Sequence, residues 1–305
     1  MKTINITDIT LKQLSQDRAV SLLFREKTAI AACASSLGAN AVELASIKNL
    51  REDTIIYKTI AQNVLKSTVA IPVGFTSEDV DNACESVKDA AAPRLQVEVP
   101  TSTVQMEYMY HFKADKMITR IGELTEKAKS LCEDVEFAAL DATRADKDFL
   151  IAAAKEATAK GAGIGTVCDS AGVSLPEEIA QLVSALKAEL DVPVYVQVSD
   201  KINMAVSCAI AAVSAGADGV KCAMAGTDAL LMAKLSDTFS ARGEAFGAAV
   251  SLNNTRIHAS IDDLLAHISH EAYESEATVS EKKKILIDSD TTLAQVAQAA
   301  QEFLL

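Results

Sequence analysis

Short apolar runs alternate with amphipathic stretches of helical period along most of the chain. A run of four to eight apolar residues between turn signals is typical of a buried strand, whereas apolar residues three or four positions apart indicate a helix. Eight segments are predicted strands: 4–11, 41–47, 68–73, 95–99, 135–140, 163–168, 192–198 and 219–223. Helical patterns lie between them, among others at 24–37, 118–132, 147–160, 175–190 and 205–215.

Three of these helices end at a Gly-Ala pair just before the next strand, at Gly38, Gly161 and Gly216. Glycine at this position supplies the left-handed turn that closes a helix. Strict alternation of strand and helix favours a parallel sheet with right-handed crossovers, and eight units fit a closed (β/α)8 TIM barrel of the α/β class. An open doubly wound sheet is the alternative, but no GxGxxG or P-loop pattern supports it.

The barrel is predicted to occupy residues 1–250 and a C-terminal extension residues 251–305. In the extension, 257–273 reads as a pair of helices, 282–287 as an extra strand and 291–305 as an amphipathic helix. We expect this extension to pack on the barrel or on a second subunit, because no Pro-, Gly- or Ser-rich linker separates it.

Composition narrows the class of protein. Apolar residues make up 49% of the 305 residues and aromatic residues only 4%, so the core must consist of small and branched aliphatic side chains. The net charge of −13 is unfavourable for nucleic-acid binding. There is no apolar run long enough for a membrane span and no signal-peptide pattern, so we expect a cytoplasmic protein. The six cysteines form no CxxC pair and are expected to be reduced.

Five segments at or just after predicted strands carry recognisable motifs. They read DITLKQLSQ at 8–16, TS and MEY at 101–102 and 106–108, VEFAALDATR at 135–144, DSAG at 169–172, and QVSDKINMAV at 197–206. In this order they resemble DTTLRDGEQ, the segment after the fourth strand, VEFSxEDATR, DTVG and HCHNDLGLAV of the DRE-TIM metallolyases. That family includes isopropylmalate synthase, homocitrate synthase and HMG-CoA lyase. The resemblance implies a barrel that makes or breaks carbon–carbon bonds; acetyl-CoA as a co-substrate and a homodimer rest on it alone.

The departures from the family pattern fall at its metal site. The family holds a divalent metal with the Asp of its RD pair and the two His of its HxH motif, and the resemblance puts Gln13, Gln197 and Ser199 at these positions. Neutral amides and a hydroxyl bind a divalent ion weakly. The sequence therefore predicts a divergent member with no metal and no other tightly held cofactor. Lys12 stands where the family has a catalytic Arg, and Leu140 where it has an acid.

Three lysines are expected to meet at the barrel mouth: Lys12 at the end of the first strand, Lys201 after the seventh and Lys221 on the eighth. An ammonium group can hold a carboxylate, and a desolvated lysine near other cations has a lowered pKa and can form a Schiff base. A structural salt bridge from Lys221 to Asp8 or Asp141 is the alternative. Glu43, at the end of the second strand, is expected to orient Lys12 or to act as a base.

The candidate catalytic residues are thus Lys12, Lys221 and Glu43. The candidate substrate-binding residues lie at or near predicted strand ends: Gln13, Ser102, Asp141, Arg144, Ser170, Gln197, Ser199 and Lys201. Asp141 and Arg144 are alternatively an ion pair that shapes the loop after the fifth strand. Cys168 and Cys222 are expected to be buried, inert thiols.

Three hypotheses about function remain open at this stage. The first is a barrel that binds a small keto acid or carboxylate and forms or cleaves a carbon–carbon bond without a metal. The second is a non-catalytic relative that binds a ligand or a partner subunit. The third is a Schiff-base aldolase that uses Lys221.

Overall fold

The computed structural model describes residues 1–17 and 20–279, with residues 269–279 given by their backbone alone. Its centre is a closed parallel barrel of eight strands. The strands are β1 (Lys2–Asp8), β2 (Ala41–Glu43), β3 (Thr68–Val73), β4 (Pro93–Pro100), β5 (Val135–Leu140), β6 (Ile164–Asp169), β7 (Val194–Val198) and β8 (Gly219–Cys222). Each strand pairs with the next, and β1 closes the ring because it pairs with both β8 and β2. The predicted TIM barrel is confirmed.

Helices follow the strands along the chain. They are α1 (Thr10–Gln16), α2 (Phe24–Ser36), α3 (Leu50–Asn63), α4 (Ser77–Val87), α5 (Ala114–Leu131), α6 (Lys147–Ala159), α7 (Pro176–Glu189), α8 (Ala205–Ser214), α9 (Met232–Arg242) and α10 (Ile257–Val279). A short strand that the sequence did not predict, β9 (Ala248–Val250), pairs in parallel with residues 2–4 of β1. Gly38, Gly161 and Gly216 all have positive φ, as predicted for glycines that end helices.

The first predicted strand extends too far. The sequence predicts a strand over 4–11, but β1 ends at Asp8 and Thr10 begins a helix. The carboxylate of Asp8 accepts hydrogen bonds from the backbone N–H and the hydroxyl of Thr10, and these bonds turn the chain out of the sheet. Lys12 therefore lies on α1, one turn beyond the strand end where it was predicted.

The core between the strands and the helices is aliphatic, as the composition predicts. Ile6, Val42, Ile71 and Val97 are among the strand residues with no exposed surface. Valine, isoleucine and alanine suit the strand faces that the helices cover, because small and branched aliphatic side chains fill the layer between a parallel sheet and its helices.

Residues Met1–Leu265 form one compact unit and Ala266–Leu305 a second. Residues 257–273 belong to the single helix α10, so the predicted pair of helices is wrong. The predicted strand 282–287 and helix 291–305 lie outside the described residues. Within the described part of the chain, no helix is both long and apolar enough to cross a bilayer.

Candidate functional site

A cavity of about 610 Å³ opens at the carboxyl ends of the barrel strands. This is the end at which TIM-barrel enzymes bind their substrates, and the volume suits a small organic molecule. Its lining is largely polar and comes from the α1 segment, from the ends of β5 and β7, and from the loops after β4, β6, β7 and β8. The lining residues are Lys12, Gln13, Gln16, Asp17, Gln105, Leu140, Ser170, Gln197, Ser199, Lys201, Thr227 and Asp228.

The structure brings together the three residues that the resemblance puts at the family's metal-binding positions. Gln13 lies on α1, Gln197 near the end of β7 and Ser199 one residue beyond that strand, and all three line the cavity. Ser199 is held in place by a bridge to Ala229, in the segment after β8. The cavity wall thus carries amide and hydroxyl groups that can donate and accept hydrogen bonds.

Lys12 places a fixed ammonium group beside these amides. Its Nζ lies 2.7 Å from Oε1 of Glu43, and it also forms an ion pair with Glu98. The side chain keeps only 8% of its surface exposed. Burial alone would lower the pKa of Lys12, but the negative charges of Glu43 and Glu98 outweigh burial and raise it. Lys12 is therefore a permanent cation at the floor of the cavity.

Below Lys12, the barrel interior contains further alternating charges. Lys221 has no exposed surface, and its Nζ lies 2.6 Å from Oε2 of Glu43 and 2.7 Å from Oε1 of Glu136. Gln96 donates to Glu43, and Thr166 donates to Glu136. We call Lys12, Glu98, Glu43, Lys221 and Glu136 the ion ladder.

The ladder keeps Glu43 and Lys221 charged. Burial would raise the pKa of Glu43, but Lys12 and Lys221 lower it well below the usual range. Burial would likewise lower the pKa of Lys221, but Glu136 and Glu43 raise it. As the alternative interpretation of Lys221 predicts, this lysine forms salt bridges, but with Glu43 and Glu136 rather than with Asp8 or Asp141. A lowered pKa, as Schiff-base chemistry requires, is not what these contacts produce.

The three lysines do not converge as predicted. Lys12 and Lys221 share Glu43, but Lys221 lies inside the barrel and does not line the cavity. Lys201 is exposed at the cavity wall and makes no ion pair with any described residue. Glu43 has no exposed surface and binds both ammonium groups, so its geometry fits the orienting role and not that of a base.

Ser102, Asp141 and Arg144 are not brought to the cavity, unlike the other predicted substrate-binding residues. Ser102 and Asp141 are fully buried, and the Ser102 hydroxyl donates to the Asp141 carboxylate at 2.5 Å. Arg144 donates to both oxygens of the same carboxylate and lines a different cavity, beside α7. Ser170 lines the mouth cavity, but its hydroxyl also accepts a hydrogen bond from the backbone N–H of Asp141. These residues brace the loop after β5 in its left-handed turn, in which Asp141 has φ 57°.

Cys168 and Cys222 are buried as expected. Burial raises the pKa of Cys168 to about 12, so this thiol stays protonated even though it lies near Lys221 and Lys12. A protonated, buried thiol is not a nucleophile.

Sequence reasoning did not single out Glu98 and Glu136. Polar residues Arg94, Gln96 and Glu98 alternate with Leu95, Val97 and Val99 along β4. This period of two places one polar set on a single face of the strand. This alternation predicts that β4 directs its charged and amide side chains to one face, and in the structure that face is the barrel interior.

The donor set at the cavity does not fit a divalent metal. Among the described residues, no group of three or more His, Cys, Asp and Glu side chains is arranged to hold a metal ion. Asp17 and Asp228 contribute carboxylates to the lining, but Lys12 and Lys201 contribute ammonium groups that repel a cation. The ligands that zinc, magnesium or manganese favour are anionic oxygens, thiolates or imidazoles.

Comparison with known proteins gives the family. The family model HMGL-like matches residues 3–229. The curated 2-isopropylmalate synthase of Halalkalibacterium halodurans is 31% identical over 232 residues, which are 74% of this chain and 45% of that protein. That of Clostridium kluyveri is 28% identical over 229 residues, with the same coverage of 74% and 45%. The chain thus spans less than half the length of these relatives.

Solved structures of low sequence identity share the fold. The HMG-CoA lyase of Brucella melitensis superposes with a TM-score of 0.72 at 12% identity, over 88% of this chain and 100% of that one. An HMG-CoA lyase from Acinetobacter baumannii, solved in complex with coenzyme A and 3-methylmalate, has a TM-score of 0.72 at 13% identity over 88% of this chain and 92% of that one.

Proposed function

The chain belongs to the HMGL-like family of DRE-TIM barrels, and from this premise we propose that it binds a small keto acid or carboxylate in the mouth cavity. There it forms or cleaves a carbon–carbon bond next to a carbonyl group. The reaction proceeds without a tightly held divalent metal.

One observation carries this proposal: the cavity combines two ammonium groups, Lys12 and Lys201, with the amides of Gln13 and Gln197. Ammonium groups attract a carboxylate, and charge-assisted hydrogen bonds to carboxylates are roughly twice as strong as neutral ones. Amide N–H groups add donors for the second oxygen or for a keto group. A small keto acid offers this combination of a charged and a neutral oxygen acceptor.

The absence of metal ligands is compatible with the chemistry because Lys12 can supply the positive charge. Carbon–carbon bond formation next to a carbonyl needs a group that stabilises the developing negative oxygen. The ammonium of Lys12 is preorganised by Glu43 and stays charged. A fixed cation in a partly desolvated site acts more strongly than the same charge in water.

We further propose acetyl-CoA as a co-substrate. The support is the similarity to 2-isopropylmalate synthases and the solved lyase with bound coenzyme A and 3-methylmalate, a small dicarboxylate. Location in the cytoplasm and assembly into a homodimer or another homo-oligomer remain predictions from the sequence.

Isothermal titration calorimetry with pyruvate and with 2-oxoisovalerate tests the binding proposal. Lys201→Gln should weaken binding about 5- to 10-fold, because it removes an exposed charge from the cavity and breaks no ion pair with the described residues. Lys116→Gln, an exposed lysine on α5, is the matched control and should bind like the wild type. If neither keto acid binds at millimolar concentration, or if both variants bind equally well, the proposal fails.

The Schiff-base and non-catalytic alternatives predict different results. Borohydride reduction in the presence of pyruvate, followed by mass spectrometry, should leave Lys221 unmodified because this lysine is protonated and has no exposed surface. A stable adduct on Lys221 would establish the aldolase alternative instead. Binding of keto acids without any turnover or proton exchange would establish the non-catalytic one.

A further inference from the structure

We propose that Glu98 and Lys12 form the acid–base pair of the mouth cavity. Glu98 exchanges the proton on the carbon next to the substrate carbonyl, while Lys12 holds the carbonyl oxygen as it becomes negative. This inference rests on the proposed function and names the groups that perform its chemistry.

Glu98 is the one carboxylate of the ion ladder that reaches the solvent side. Its side chain keeps 10% of its surface exposed, whereas Glu43 and Glu136 keep none. It lies on β4 and pairs with Lys12, which lines the cavity, although Glu98 itself is not a lining residue. A proton donor or acceptor must reach the substrate directly or through one water, and of the three ladder carboxylates only Glu98 keeps any exposed surface through which it can do so.

The partners of these carboxylates separate their roles further. Glu43 accepts from Lys12, Lys221 and Gln96, so each of its oxygens has at least one donor. Glu136 accepts from Lys221 and Thr166 through Oε1, and its Oε2 is buried without a hydrogen bond. Glu98 has Lys12 as its partner among the described residues, through Oε1, and its second oxygen forms no hydrogen bond with them. Because the Glu136 side chain has no exposed surface, Glu98 Oε2 is the unbonded oxygen of the ladder that belongs to a partly exposed side chain.

In the proposed reaction, one proton moves between the substrate carbon and Glu98. Glu98, ionised, takes a proton from the carbon next to the carbonyl. The electron pair of that C–H bond forms a C=C bond, and the carbonyl π electrons move to the oxygen, which becomes an enolate oxygen facing the Lys12 ammonium. Return of the proton from Glu98 to carbon regenerates the keto form. Alternatively, the enolate carbon attacks a second carbonyl and forms the carbon–carbon bond; the π electrons of that carbonyl move to its oxygen, which takes the proton held by Glu98.

The protonation equilibria agree with this geometry. Burial raises the pKa of Glu98 above its usual value, and the nearby Glu43 acts in the same direction, although Lys12 opposes them. A carboxyl group with a raised pKa is a stronger base once ionised. The raised pKa of Lys12 keeps that residue a cation rather than a competing base.

Proton exchange into pyruvate tests the pair without knowledge of the co-substrate. In D2O, the wild-type protein should exchange the methyl protons of pyruvate for deuterium. NMR measures this exchange as the loss of the methyl proton signal. Glu98→Gln should slow this exchange at least 100-fold with little change in pyruvate affinity by calorimetry, because a general base contributes about 100- to 10,000-fold. Glu98→Asp should recover part of the rate. The exchange rate of the wild type should rise with pH around a carboxyl pKa that is higher than the ordinary value. The exchange rate of Glu98→Gln should not show this rise.

Glu189→Gln is the matched control, because Glu189 also pairs with a lysine, Lys155, but on the outer surface. It should exchange at the wild-type rate, and circular dichroism should show that both Gln variants are folded. If pyruvate binds but Glu98→Gln exchanges as fast as the wild type, or if the wild type does not exchange, the acid–base assignment is overturned and the binding proposal stands. If pyruvate does not bind and does not exchange, both are overturned.

Discussion

At the scale of single residues, Lys221 shows how a lysine can be accommodated inside a barrel. A buried ammonium group is costly unless it is paired and hydrogen-bonded. Lys221 has two carboxylates within 2.7 Å and no contact with solvent. It therefore positions Glu43, and through Glu43 it positions Lys12 at the cavity.

Lys221→Met should lower the free energy of unfolding by about 3–5 kcal/mol, because it removes one partner of a buried pair and leaves two carboxylates facing each other. Urea denaturation measures this change. Lys155→Met removes a lysine from a surface pair and should cost no more than about 1 kcal/mol. If both variants lost the same amount of unfolding free energy, the buried ion pairs of Lys221 would contribute no more to stability than a surface ion pair.

Asp8 gives the fold a specific pH dependence. Burial raises the pKa of Asp8 to about 7, although hydrogen bonds from Thr10 act in the opposite direction. The stability that the protonated group contributes is complete below pH 4, where the unfolded chain is also protonated, and is lost as pH rises from about 4 to 7.

Asp8→Asn, which resembles the protonated acid, should remove this loss. Between pH 5 and pH 8 the wild type should lose on the order of 2 kcal/mol of unfolding free energy relative to the variant. Urea denaturation of both proteins at the two pH values measures the difference. A difference that does not change with pH would mean that Asp8 is ionised in the folded state throughout.

At the scale of elements, the turns that end helices decide where strands begin. Gly38 follows α2 with φ +95°, and a Cβ atom built there would lie 2.6 Å from the backbone oxygen of Ser251. Gly247 also has positive φ, at +66°, but a Cβ atom there would meet nothing within 4 Å. Both glycines have a left-handed backbone conformation, but only Gly38 has a neighbouring atom that an added Cβ atom would contact.

Gly38→Ala should therefore destabilise the protein more than Gly247→Ala. We expect about 1 kcal/mol at Gly247 from the left-handed backbone alone. At Gly38 we expect about 3 kcal/mol or more, because a backbone contact must also shift. Thermal melting of the two variants side by side measures the difference, and equal shifts in melting temperature would contradict the close approach to Ser251.

The same elements show what the sequence could predict. The eight strands were predictable because short, mostly apolar runs alternate with stretches of helical period. The end of β1 was not, because the turn depends on two hydrogen bonds between Asp8 and Thr10 that no periodicity reveals. The meeting of Gln13, Gln197 and Ser199 followed from motifs, whereas the partners of Lys221 depend on which side chains of β2 and β5 point inward.

At the scale of the whole molecule, the placement of individual charges decides what the cavity can attract. The net charge of the protein is −13, and the ion ladder itself holds two ammonium groups and three carboxylates. Because a Coulomb interaction weakens with distance, Lys12 and Lys201 of the cavity lining can attract a small anion at close range, against the net charge of the protein.

The same two lysines should disfavour divalent cations in the cavity. Protein purified without chelator should contain substoichiometric zinc, magnesium and manganese by plasma mass spectrometry, and EDTA should leave keto acid binding unchanged, because neutral amides beside Lys12 and Lys201 hold such ions weakly. The combined variant Gln13→Asp, Gln197→His, Ser199→His is the positive control, since it supplies a carboxylate and two imidazoles to the same wall and should gain zinc. The opposite outcome is one full equivalent of metal in the wild type, with loss of keto acid binding when EDTA removes the metal. In that case a metal ion supplies the positive charge that binds the keto acid, and Lys12 is only part of a structural ion pair.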